Sequence, residues 1–121
     1  MKIKTTNTIL YCRKWHETLA FYETLLKRQA TVANDWFVEF KLNETACLSI
    51  ADASRTSIDS NHGAGITITL EVDDIKKSHT YLTEAGLDPS PIKDHAWGAT
   101  VIHIYDPEGH RLEFWSPRMK T

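Results

Sequence analysis

Tyr105-Asp106-Pro107-Glu108-Gly109-His110-Arg111-Leu112-Glu113-Phe114-Trp115 is the stretch from which the fold can be read. Val101 to Tyr105 before it is apolar and partly β-branched, as a strand requires. Leu112 to Trp115 is apolar apart from one carboxylate. Between them Asp-Pro-Glu-Gly carries the side chains of a type I turn: Asp first, Pro second, Gly fourth. The reading is strand, tight turn, strand. Alternation sends Leu112 and Phe114 to one face and Glu113 to the other. A carboxylate inside an apolar strand must be solvated, paired or offered to a ligand, because burying it bare is too costly. Glu113 is therefore the first candidate functional residue.

Working outward, the pattern that ends in this hairpin starts at residue 65. Gly65 to Asp73 is rich in Ile, Thr and Val and predicts a strand. Asp74 to Gly86 predicts a helix with an acidic start, a glycine stop and an apolar stripe of Ile75, Ser78/His79, Leu82 and Ala85. Leu87 to Asp94, interrupted by Pro89 and Pro91, allows only a short edge strand. The first half has the same order. Thr5 to Arg13 predicts a strand, and Trp15 to Arg28 a helix with apolar residues at 15, 19, 22 and 26. Gln29 to Ala33, Trp36 to Leu42 and Ala46 to Ala51 predict three further strands, and polar Asp52 to Gly65 a linker.

A shift of sixty residues puts Leu10 on Leu70, Trp15 on Ile75, Phe21 on Tyr81 and Tyr22 on Leu82. Four more residues for a longer loop put Leu48-Ser49-Ile50 on Leu112-Glu113-Phe114. Hydrophobic pattern carries this repeat. The expected fold is α+β: two βαβββ modules, 1–58 and 63–121, forming a cup-shaped mixed sheet with helices on the outer face.

Composition narrows the function classes. The chain has 121 residues, 41% hydrophobic and 25% charged, with a formal net charge of −2. These values suit a soluble globular domain. There is no basic stripe for nucleic acid and no polybasic patch or apolar run of roughly 20 residues for a membrane. The first residues lack a signal peptide's apolar core. Cys12 and Cys47 show no metal-ligand spacing and are expected as reduced, buried small hydrophobes. A cytoplasmic protein is expected.

The Phe21-Tyr22 pair, the Glu71-Val72-Asp73-Asp74 junction, Trp97-Gly98 and the closing Asp106-Pro107-Glu108-Gly109…Leu112-Glu113-Phe114 together resemble the vicinal oxygen chelate superfamily. That superfamily includes glyoxalase I, bleomycin-resistance proteins, fosfomycin-resistance enzymes and extradiol dioxygenases. The resemblance implies four equivalent strand positions that hold a divalent metal through His and Glu. They fall here on Asn7, Ser49, Thr67 and Glu113. Only Glu113 is a ligand-type residue, and one carboxylate does not hold such a metal tightly. No metal or other cofactor is therefore expected.

Strand alternation adds the rest of the concave face. Asn7, Ile9 and Tyr11 share one side of the first strand, and Thr67, Thr69 and Glu71 one side of the fifth. Phe37 and Glu39 oppose the apolar set of the third strand, Ser49 and Ala51 line the fourth, and Glu113 and Trp115 the last. His103 joins them if Ile102 and Ile104 pack against a helix. The expected ligand-binding set is Asn7, Tyr11, Phe37, Ser49, Thr67, His103, Glu113 and Trp115, with Glu113 also the best catalytic candidate. Aromatic walls with a few placed polar groups suit a small-molecule pocket, and Glu39, Glu71 and Glu113 would favour a cationic or amine-bearing ligand. The resemblance then implies drug or ligand sequestration by a homodimer. The alternative it implies is a glyoxalase-like lyase, isomerase or other enzyme of the superfamily acting on a small oxygen-rich substrate. A metal-free variant of that enzyme would use Glu113 as base and Tyr11 or His103 as acid.

Overall fold

The computed structural model describes residues 1–118. It consists of two compact units, residues 1–62 and residue 63 onward. In the first, β1 (Thr6–Cys12), α1 (Trp15–Leu26), β2 (Val32–Ala33), β3 (Phe37–Asn43) and β4 (Ala46–Asp52) give a four-stranded sheet of order β1-β4-β3-β2. In the second, β5 (Thr67–Glu71), α2 (Ile75–Glu84), β6 (Lys93–Asp94), β7 (Ala99–Tyr105) and β8 (Arg111–Pro117) give the order β5-β8-β7-β6. In both sheets the first and last strands run parallel and the other pairs antiparallel. The fold is thus α+β, with two βαβββ modules and mixed sheets, as the repeat predicts.

Strand register reproduces the repeat residue by residue. Ile9 pairs with Ser49, which pairs with Glu39. Thr69 pairs with Glu113, which pairs with His103. Shifts of sixty and sixty-four carry one row onto the other. On the opposite face Leu10, Val38, Phe40, Leu48 and Ile50 are buried in the first unit, as are Ile102, Ile104, Leu112 and Phe114 in the second. α1 packs on β1 and β4, and α2 on β7 and β8. Each unit therefore covers one face of its sheet with its own helix and keeps the polar residues on the other.

Local details depart from the sequence expectation in three places. The buried stripe of α1 is Trp15, Thr18, Tyr22 and Leu25. Leu19 and Leu26 only flank it, so the face that α1 turns to its sheet is rotated toward Thr18 and Leu25. The Trp15 indole N–H donates to the Ile50 carbonyl at 3.0 Å and anchors the start of that stripe. The helix stops at Leu26 rather than Arg28. Lys27 turns left-handed at φ 46°, and Arg28 Nη1 donates to the carbonyls of Lys41 and Leu42, both at 2.8 Å, where a bulge interrupts the β3–β4 ladder. Cys47, expected to be buried, is only half-buried, since it faces away from α1; Cys12 is fully buried, and neither is in a disulfide.

The turn from Asp106 is better braced than its sequence alone suggests. Gly109 N–H donates to the Asp106 carbonyl at 3.0 Å, closing the expected turn. Asp106 Oδ1 also accepts from the N–H groups of Glu108, Gly109 and His110 at 2.9–3.0 Å, while Oδ2 meets His110 Nδ1 at 2.8 Å. Gly63 lies directly against this turn with φ 76°, and a Cβ there would come within 2.7 Å of His110 Cα and 2.8 Å of the Gly109 carbonyl oxygen. Only glycine fits both the backbone angle and the space.

Candidate functional site

In the first unit the polar face is a connected hydrogen-bond chain. Ser49 Oγ donates to Asn7 Oδ1 at 2.8 Å, Asn7 Nδ2 donates to Glu39 Oε1 at 3.3 Å, and Thr31 Oγ1 donates to Glu39 Oε2 at 2.7 Å. Ser49 is fully buried, so its hydroxyl supports Asn7 from below rather than presenting itself at the surface. Asn7 is exposed, and Tyr11, Phe37 and Glu39 are half-buried. Phe37 contacts the Trp36 ring with centroids 5.4 Å apart.

The second unit's face is built around Arg111. Its Nη2 donates to Glu113 Oε2 at 3.3 Å, and its Nη1 donates to the Tyr105 hydroxyl at 3.1 Å. The guanidinium carbon also stands 5.9 Å from the Tyr105 ring centroid, within cation–π range. Burial alone would make the guanidinium easier to deprotonate, but the bonds to Tyr105 and Glu113 outweigh it and raise its pKa. Arg111 stays charged.

His103 lies directly across from Glu113 in the ladder, with its ring 5.6 Å from that of Tyr105. Burial, and then the charge of Arg111, lower its pKa below the ordinary 6.5, while Glu113 pulls the other way. The imidazole is neutral at pH 7. Ser90 brackets the same residue, its N–H donating to the His103 carbonyl at 3.0 Å and its Oγ accepting from the His103 N–H at 2.9 Å. Trp115 is half-buried and shares a cluster with exposed Trp97, centroids 6.3 Å apart, and Trp97 in turn with His95 at 5.7 Å. Trp97 is thus a rim residue of this face. Thr67 is exposed at the start of β5.

Of the expected residues, Asn7, Ser49, Tyr11 and Phe37 lie on the polar face of the first unit. Thr67, His103, Glu113 and Trp115 lie on that of the second. The expected electrostatics need correction. Glu113 is not an open negative charge, because Arg111 neutralises it, and Glu39 is engaged by Asn7 and Thr31. Arg111 was legible: it sits two residues before Glu113 and so shares its face. The contribution of Ser90, from a proline-flanked loop, had no sequence signal.

The residues at the four ligand positions do not fit a divalent metal. Asn7 and Ser49 are bonded to each other, Thr67 offers only a hydroxyl, and Glu113 has a guanidinium where a cation would need open lone pairs. Among the described residues no three or more His, Cys, Asp or Glu side chains form a group able to hold a metal ion. No described helix is long and apolar enough to cross a membrane.

Residues 4–114 match the family model described as the Glyoxalase/Bleomycin resistance protein/Dioxygenase superfamily. No curated protein matches the sequence. Among solved structures, a glyoxalase/bleomycin resistance protein from Catenulispora acidiphila DSM 44928 is similar over 93% of this chain and 96% of its own, at 20% identity and a TM-score of 0.74. A lactoylglutathione lyase from Agrobacterium tumefaciens is similar over 92% and 91%, at 19% identity and 0.74. A bleomycin resistance determinant encoded on the transposon Tn5 is similar over 93% and 97%, at 17% identity and 0.72. At these identities the likeness speaks for the fold.

Proposed function

This chain belongs to the glyoxalase/bleomycin resistance protein/dioxygenase superfamily, and from that premise we propose that it binds a small molecule on its polar sheet faces without a metal ion, sequestering the ligand rather than converting it. One observation carries the reading. The side chains at the superfamily's metal positions are committed to internal partners, Ser49 to Asn7 and Glu113 to Arg111. Aromatic rings and placed polar groups around them have the make-up of a pocket for a small organic ligand. Cysteines outside any disulfide at positions 12 and 47 suit a reducing, cytoplasmic setting. Membership in the superfamily supports a homodimer, which light scattering after gel filtration would check.

The test uses three near-isosteric probes of different charge: benzoate, benzamide and benzamidine. Each is titrated into the protein with and without EDTA, following tryptophan fluorescence. Binding of at least one probe, unchanged by EDTA, supports the reading. Binding that EDTA abolishes overturns it.

A second reading has one observation in its favour. His103 is neutral at pH 7 and faces Glu113 across the ladder, so it could take a proton in an acid–base reaction. Turnover that is lost in His103→Gln and insensitive to EDTA would establish this enzyme instead.

A further inference from the structure

The second unit carries a cleft of about 380 Å³ between the Ser90–Lys93 segment and strands β7 and β8. We propose that it takes a small organic monoanion, a carboxylate on a short apolar body. The assignment rests on the metal-free reading above and names the class of ligand.

The lining has cations and no acid. Lys93 and Arg111 line the cleft together with Ser90, His95 and His103, and no Asp or Glu is among the lining residues. Pairing of Lys93 with Val101 puts the lysine on the same sheet face as His103 and Arg111. Lys93 is exposed, and its ammonium group makes no hydrogen bond or ion pair with any described residue. Arg111 gives one N–H each to Tyr105 and Glu113; a guanidinium has five, so three remain for a ligand. The bonds to Tyr105 and Glu113 also fix its plane, which lowers the ordering cost of a bidentate contact with a carboxylate.

Charge selects the valence. Lys93 and Arg111 bring two positive charges, Glu113 behind the arginine returns one negative charge, and His103 is neutral at pH 7. The surplus is a single positive charge, which matches a monocarboxylate and leaves a dianion half compensated. Pro91, Ile92 and Val101 supply apolar wall for the body of the ligand, and the volume lies within the roughly 300–1,000 Å³ of ordinary small-molecule sites. The expectation of an amine-bearing ligand is thereby reversed for this face.

Benzoate, benzamide, benzamidine and inorganic phosphate, titrated separately into the intact protein at pH 7 and fixed ionic strength, decide the matter. The expected result is that benzoate binds at millimolar concentration or below and the other three bind at least tenfold more weakly. Lys93→Met should weaken benzoate about tenfold, in line with loss of one charge-assisted contact, and Lys93→Arg should restore most of it. Lys41→Met, on the first unit, should change nothing. Arg111→Met serves as a second variant, scored only after its melting curve confirms a folded protein. Benzamidine or benzamide equal to benzoate, no benzoate binding, or benzoate binding that survives Lys93→Met would each overturn the proposal. Phosphate equal to benzoate would overturn the carboxylate assignment. Binding of benzamidine alone would leave the metal-free reading standing and remove this one. Benzoate binding that needs metal but follows Lys93 would do the reverse.

Discussion

Arg111 and Glu113 lie two residues apart on one face of β8, and the guanidinium Nη2 donates to the carboxylate Oε2 at 3.3 Å. This pair converts what would be a metal-ligand position into an internal ion pair. Their side chains are 31% and 20% exposed, so solvent screens part of the attraction. Arg111→Met should cost about 1 kcal/mol in urea unfolding. It should also raise the pKa of His103, because the lowering by Arg111 is lost and the raising by Glu113 remains. An NMR titration of the imidazole protons reads that shift directly; an unmoved or lower pKa would contradict the electrostatics described.

His103 links this face to pH. Its folded pKa is depressed below 6.5 by burial and by Arg111. At pH values between the folded pKa and 6.5 the unfolded chain therefore binds more protons. The contribution to stability is fully present above 6.5 and is lost as pH falls through the folded value. Stability measured from about pH 7.5 to about pH 5 should fall less in His103→Gln than in the parent protein. Equal slopes would remove His103 from the acid response.

How far the sequence reaches can be judged from these same residues. Alternation and the sixty-residue repeat placed Glu113, His103 and Ser49 on their faces, because side-chain direction in a strand is fixed by position alone. The pairing of Ser49 with Ile9 and of Glu113 with Thr69 repeats the predicted correspondence. Alternation also applies to Arg111, two residues from Glu113, but a charge flanking a turn reads as solvated until its partner is known. The bulge that draws Arg28 away from α1, and the loop that brings Ser90 to His103, depend on long-range backbone geometry. No local pattern announces them. Thr18 in the buried stripe of α1 was missed for a different reason: a threonine does not register as apolar, although its methyl packs as one.

Asp106 organises the closing turn. Its carboxylate accepts three backbone N–H groups and meets His110, and the side chain has no exposed surface. Asp106→Ala leaves those donors unsatisfied in a buried place. It should cost about 3 kcal/mol, with Asp106→Asn intermediate because the amide oxygen can still accept. Chemical denaturation compares the three proteins, and an Asp106→Ala variant of parental stability would refute the bracing role.

Gly63 and Gly65 form a controlled pair. Both have positive φ, 76° and 78°, but a Cβ at Gly65 meets nothing within 4 Å, whereas at Gly63 it strikes backbone atoms of Gly109 and His110. Gly65→Ala should cost about 1 kcal/mol from backbone angle alone. Gly63→Ala adds a clash that only backbone movement relieves, for a total of about 3 kcal/mol. Equal losses in the two variants would show that the turn yields at Gly63.

The central claim is that this chain keeps the superfamily fold and binds its ligand without a metal. Metal content of the purified, undialysed protein, measured by plasma mass spectrometry, tests it most directly. The account predicts Mn, Fe, Co, Ni and Zn all far below one ion per chain. One ion of any of these per chain, retained through gel filtration and lost in Glu113→Ala, would contradict it.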